Sequence, residues 1–139
     1  MKVMVIVKAN EQSEAGVLPD TEILTKMNKY NQELMNAGLL LAADGLQPSS
    51  KGKRVKFSGE QRIVTDGPFP ETKELAAGFW IWKVKSIDEA VDWLKPAPFG
   101  GGVEVEIRPI RSLEDFGANL TPELRAENER LCELLGAKN

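Results

Sequence analysis

The chain has no histidine and a single cysteine, Cys132, among its 139 residues. The first absence excludes Ser-His-Asp and Cys-His nucleophilic machinery, imidazole acid–base chemistry and His-based zinc sites. The second excludes an intramolecular disulfide and any metal cluster of several thiolates; Cys132, near the C-terminal end, is expected to pack on a helix. Catalysis, if present, falls to carboxylates, lysine, arginine, Tyr30 or Cys132, and no cofactor or metal is expected. No apolar run approaches the ~20 residues of a membrane helix. At the N-terminus Lys2 is followed by a short apolar run with no small-residue cleavage site after it, so a strand is expected rather than a leader, and a cytoplasmic protein with no membrane partner. An excess of positive charge is missing as well. The net charge of −3 argues against a nucleic-acid surface, and the one basic cluster, Lys51 to Lys56, reads as a solvated hairpin tip.

What is present describes one globular domain with an appendage: 42% hydrophobic and 28% charged residues, without internal repeats. Val3, Val5 and Val7 alternate with Met4 and Ile6, which predicts a strand covered on both sides. Asn10 to Pro19 is a polar loop. Asp20 then caps a helix whose stripe is Ile23, Met27, Tyr30 and Leu34, with Gly38 as its left-handed stop. Leu39 to Leu46 predicts a buried strand. Arg54–Ser58 and Gln61–Thr65, joined by Gly59-Glu60, predict a hairpin with a type II′ turn. Ala77–Lys85 is the strongest strand pattern, with Trp80 and Trp82 on one face and Phe79 and Ile81 on the other. Ser86 and Glu89 form a capping box for a second helix that Pro96 ends, and Val103 to Arg108 alternates as a last strand. Residues 112–120 read as a linker, and Thr121-Pro122 opens a helix expected to stop at Gly136.

Without the hairpin the order is βαββαβ, which predicts an α+β ferredoxin-like sandwich over residues 1–111, followed by a linker and C-terminal helix over 112–139. Two helices cover one face of such a sheet. On the other, Phe79 or Trp80 with Met4 and Ile6 leaves more apolar surface than a monomer usually exposes, so a homodimer is expected.

Between the hairpin and the strongest strand lies Thr65-Asp66-Gly67-Pro68-Phe69-Pro70-Glu71-Thr72-Lys73-Glu74. Asp66 is expected to bond back to its own turn, and the two prolines exclude regular structure. It is either a connecting loop anchored by Phe69 or the carrier of a ligand site. Alternation places Glu104, Glu106 and Arg108 on one strand face. With Asp66, Lys73 and Glu74 they either hold a small polar molecule or pair with one another, and the pairing reading is the simpler. Asp44, at the end of the second strand, either caps that edge or faces a pocket.

Asp66-Gly67-Pro68-Phe69 with Glu71-Thr72-Lys73-Glu74, Gly45-Leu46-Gln47-Pro48, and Gly102 to Val105 with Arg108-Pro109 resemble, in order, the motifs of YCII-related proteins of the DGPF-domain branch. The resemblance implies a dimeric α/β barrel with a cleft between sheet and loops. It also implies kinship with muconolactone isomerase and chlorinated-hydroquinone dehydrochlorinases, in which a histidine and an aspartate do acid–base work. Asp44 falls near that aspartate, but the histidine has no counterpart here, so any activity would be a carboxylate-dependent lyase or isomerase. The DGPF branch is often encoded beside extracytoplasmic-function sigma factors, which implies the alternative of a non-enzymatic regulatory dimer with a sigma-factor partner.

Overall fold

The computed structural model describes residues 1–138. They form two units, Met1–Pro109 and the chain from Ile110 onward.

The first unit runs β1 (Lys2–Lys8), α1 (Glu11–Glu14), α2 (Thr21–Asn36), β2 (Leu40–Gly45), β3 (Lys53–Ser58), β4 (Gln61–Asp66), β5 (Ala76–Lys83), α3 (Ile87–Leu94) and β6 (Val105–Pro109). Four strands make one sheet in the order β2-β5-β1-β6, and β3 and β4 pair only with each other. Every pairing is antiparallel. The expected strand–helix–strand–hairpin–strand–helix–strand order is therefore observed, with the one-turn α1 added. The Asn10–Pro19 stretch thus contains a short helix as well as loop: the Asn10 side chain accepts the Ser13 N–H at 2.8 Å, and Ser13 Oγ accepts the Asn10 N–H at 2.9 Å.

Local chemistry sets the helix ends. Asp20 Oδ1 accepts the Ile23 N–H at 2.8 Å at the start of α2. At its end Gly38 adopts φ +77°, its N–H bonds Met35 O and the Leu39 N–H bonds Leu34 O. That doubly bonded stop needs a residue tolerant of positive φ, which glycine supplies. In α3 the box is displaced by one residue: Ser86 Oγ accepts the Glu89 N–H, while the Glu89 carboxylate takes the N–H of Lys85 rather than that of Ser86.

Strand register decides what is buried. Val3, Val5, Trp80 and Trp82 point toward the helices and pack with Tyr30 and Leu34 of α2, Ala90 of α3, and Leu39 and Val84. Each such large side chain, once fully buried, contributes about 1.5–3 kcal/mol relative to exposure. The Trp82 indole N–H has no acceptor among the described residues; that unmet bond costs about 1–3 kcal/mol, against which the packed ring must be set. On the opposite face Ile6 pairs with Phe79 and Met4 with Ile81. Phe79, and not Trp80, is thus the aromatic of the helix-free face.

Five expectations change. β2 is a half-exposed edge strand rather than a buried one, because it pairs with β5 alone. The β3–β4 ribbon is exposed along its whole length, and the basic residues 51–56 lead into and along β3 rather than forming its tip. The tip is Gly59-Glu60, with φ +59° at Gly59 alone, as a type II′ turn requires. In the second unit residues 113–119 form two short 3-10 turns broken at Gly117 (φ +61°), the first started by the Asp115 carboxylate, which accepts the Ser112 N–H at 2.7 Å, and α4 (Pro122–Lys138) runs through Gly136, with Cys132 exposed.

Tyr30 donates its hydroxyl to the Trp93 carbonyl at 2.6 Å, tying α2 to α3. Burial, helped by the negative charge of Glu33, pushes its phenol up to about 12 from 10.0. A raised folded-state value favours the protonated form, so this stabilisation is complete below pH 10 and is lost as pH rises toward 12. The expected outcome is that the stability advantage of the wild type over Tyr30→Phe narrows between those pH values. Urea denaturation of both proteins across the alkaline range measures it.

Candidate functional site

The C-terminal half of β2 and the facing stretch of β5 lie under one side of α2, and the loop after α3 closes over them. Between them is a cavity of about 380 Å³, within the ~300–1,000 Å³ common for small-molecule sites. Its walls come from Ile23, Met27 and Asn31 of α2, from Val7, Ala43 and Trp80 of the sheet, and from Pro98 and Phe99 of the loop. Trp80 is the floor, with Phe99 and Tyr30 edge-on to it at centroid distances of 5.8 and 5.9 Å. Asn31 Oδ1 accepts the Trp80 indole N–H at 2.8 Å. Gly78 lets β2 and β5 close the far wall: a Cβ there would lie 3.1 Å from the Asp44 carbonyl oxygen.

Asp44 is the one expected site residue at this cavity. Its neighbour Ala43 pairs with Trp80, whereas Asp44 pairs with Phe79, so strand alternation turns the Asp44 carboxylate to the helix-free face. Along that face Asp44, Phe79, Ile6 and Glu106 form one row across four strands. At the usual strand spacing Asp44 and Glu106 stand about 14 Å apart, too far to share a proton or a small ligand atom.

At the β6 edge charges do gather. Lys8 Nζ lies 2.8 Å from Glu104 and 3.9 Å from Glu106, and Arg108 Nε lies 3.7 Å from Glu106. The hydrogen bond and charge of Lys8 hold the Glu104 carboxyl below its ordinary value, with a smaller contribution from Lys73. Glu104 in turn raises Lys8. Glu104 and Glu106 thus pair with Lys8, and Arg108 pairs with Glu106, all of them exposed or half-exposed, while Lys73 acts on Glu104 through its charge alone. Asp66 lies elsewhere, paired with Lys53 across the ribbon instead of capping its own turn. Glu74 is exposed in a 3-10 turn. The structure does not bring the seven residues to one site.

The Asp66–Phe69 loop is built around Ser49. Ser49 Oγ accepts the Phe69 N–H at 3.0 Å and donates to Glu14, while the Ser49 N–H bonds Glu14 Oε1 at 3.0 Å. Arg54 stacks on the Phe69 ring at 3.8 Å and reaches Glu71 at 3.4 Å. The Gly67 N–H bonds Gly52 O at 3.0 Å, and the Gly67–Pro68 peptide is cis. Ser49, Gly52 and Phe69 line an open cleft of about 500 Å³ with mixed walls that include Glu14, Lys51 and Arg54. Among the described residues no group of three or more His, Cys, Asp or Glu is placed to hold a metal ion, and no helix is long and apolar enough to cross a membrane.

Apart from Asp44, sequence reasoning passed over the residues that line the cavity because their apolar members looked like ordinary core. The available signal was Asn31, which continues the i, i+4 series of Ile23 and Met27 and so places an amide on an apolar stripe. For the loop, the decisive position is Gly67, where a Cβ would lie 1.8 Å from the Ser49 carbonyl oxygen. Gly67→Ala is expected to cost about 1–3 kcal/mol by forcing these backbones apart. Gly100→Ala, with no atom within 4 Å of the added Cβ, should change stability by less than about 0.5 kcal/mol. Chemical denaturation of the two variants provides the comparison, and equal midpoints would remove the close-packing account.

Residues 1–114 match the YCII-related domain. An uncharacterised protein of Rhizobium meliloti strain 1021 is 32% identical over 95 residues, spanning 66% of this chain and 75% of that protein. Among solved structures, the 5-chloro-2-hydroxyhydroquinone dehydrochlorinase of Burkholderia phenoliruptrix AC1100, complexed with 2,5-dihydroxybenzoquinone, superposes with a TM-score of 0.41 at 15% identity, covering 81% of this chain and 96% of that one. The extent of the domain match, together with that relative, shows that the chain belongs to the YCII-related family.

Proposed function

We propose that this YCII-related protein is a dimer of ferredoxin-like sandwiches in which each protomer binds one small, mainly apolar molecule. The carrying observation is the cavity of about 380 Å³ floored by Trp80 and walled by Phe99, Met27 and Ile23. Its apolar lining shifts the expected ligand from polar to apolar, because a charged molecule placed there would lose its hydration without gaining a counter-charge. Among the described residues the wall holds no paired acid and base, so the reading is reversible binding rather than lyase or isomerase turnover. N-phenyl-1-naphthylamine, an uncharged fluorophore, tests it. Saturable binding of one probe per protomer is expected, weakened at least tenfold in Met27→Trp, which fills the cavity. An unaffected affinity in that variant would move the site elsewhere.

The dimer rests on the helix-free face, where Met4, Ile6, Phe79 and Ile81 form an apolar field between Asp44 at one edge and Glu106 and Arg108 at the other. Two such faces packed together would bury it. A second reading, a regulatory dimer that engages a partner protein such as a sigma factor, is favoured by one observation: described by itself, the C-terminal unit leaves Leu124, Leu131, Leu134 and Leu135 exposed. Sedimentation and pull-down on the full chain and on residues 1–111 separate the two parts. The sheet-face dimer should persist in the shorter chain and dissociate with Ile6→Lys, while a partner held by the C-terminal helix should be lost with it. A dimer that vanishes on truncation would place the subunit contact on the C-terminal unit.

A further inference from the structure

Asn31 is the one side-chain amide in the wall of this cavity, and its hydrogen bond to Trp80 fixes which end of the amide meets the indole. An indole N–H can only donate, so the atom of Asn31 that meets Trp80 Nε1 at 2.8 Å is the amide oxygen. With the oxygen committed, the NH₂ group is left with two donors, and it makes no hydrogen bond to any acceptor among the described residues. Asn31 is half-buried, on the same helical stripe as Ile23 and Met27, whose side chains are apolar. Trp80, which locks the amide, is itself held in the core by Tyr30, Trp82 and Phe99. The donor is therefore preorganised and costs little to orient when a ligand arrives.

We infer that Asn31 is a specificity-determining residue that selects planar, mostly apolar ligands bearing a hydrogen-bond acceptor, a ketone or similar oxygen, at the edge that meets α2. This rests on the proposed ligand cavity. The floor and walls supply flat aromatic contact with Trp80 and Phe99, and the amide supplies the single polar check. A ligand without an acceptor leaves both N–H groups unmet, a cost that a ligand of the same shape carrying a carbonyl oxygen does not bear.

The probes are α-tetralone and tetralin, two bicyclic molecules of nearly the same shape that differ in one carbonyl oxygen, titrated calorimetrically into the full-length protein. The wild type is expected to prefer tetralone by roughly three- to tenfold. In Asn31→Asp the oxygen that holds Trp80 is kept and the donors are removed, so the preference should vanish while the Trp80 indole N–H resonance stays in place. On the wild type alone, tetralone but not tetralin should shift the Asn31 side-chain NH₂ resonances, a readout that does not depend on the variant folding. Equal affinity for the two probes, or an unmoved Asn31 amide with tetralone bound, would overturn the assignment and leave the cavity reading standing. Failure of both probes to bind the wild type would overturn the cavity reading and this inference with it.

Discussion

Trp80 is the point on which the first unit turns, because one side chain meets three demands at once. Its ring stands among Tyr30, Trp82 and Phe99, so it belongs to the core that joins α2 and the loop after α3 to the sheet. One flank of its ring floors the cavity. Its indole N–H is satisfied by Asn31, which removes the cost of burying a donor and simultaneously orients the amide. A residue that only filled core volume could supply the first of these and neither of the others. The position follows from β5, whose strict alternation sends Trp80 and Trp82 to the helices and Phe79 and Ile81 to the open face.

The Asp66–Phe69 motif has a structural explanation that does not involve catalysis. Two separated stretches, one around Ser49 and one around Gly67, come into backbone contact, and the Ser49 hydroxyl, Glu14 and Arg54 satisfy or cover the groups that such a contact exposes. This splice anchors the base of a ribbon that is otherwise solvated on both faces, and a two-stranded ribbon has little stability alone. The charged residues of β6 have a similar standing. Lys8 draws Glu104 and Glu106 together at an exposed edge, where ion pairs are screened and add little to stability.

Much of the fold was legible in local pattern. The Asp20 cap, the Gly38 stop, the Gly59 turn and the alternation of β1, β5 and β6 all depend on residues close in the chain, and all are found. Misreadings arose where a distant partner decides. Asp66 could have capped its own turn, but Lys53 stands across the ribbon and a charge-assisted bond wins. Gly136 could have ended α4, yet glycine in a helix costs only about 1 kcal/mol against alanine and does not stop one without a stabilised left-handed turn. Apolar character in β2 suggested burial, but an edge strand with one neighbour remains partly open.

By itself, the sequence determined the elements and excluded whole chemistries, since the absence of histidine and the lone cysteine hold whatever the fold. It also carried a resemblance to YCII-related proteins, which the domain match over residues 1–114 bears out. The tertiary structure alone decided the site. Asp44 and Glu106 are both carboxylates on one sheet face, and only the strand order reveals that two strands separate them. Asn31 and Trp80 are far apart in the chain, and only the packing of α2 on β5 turns an amide on an apolar stripe into a fixed donor. The physical reason is common to both: caps and alternation are set by neighbours within a few residues, whereas a site is a set of distances between elements, which only packing fixes.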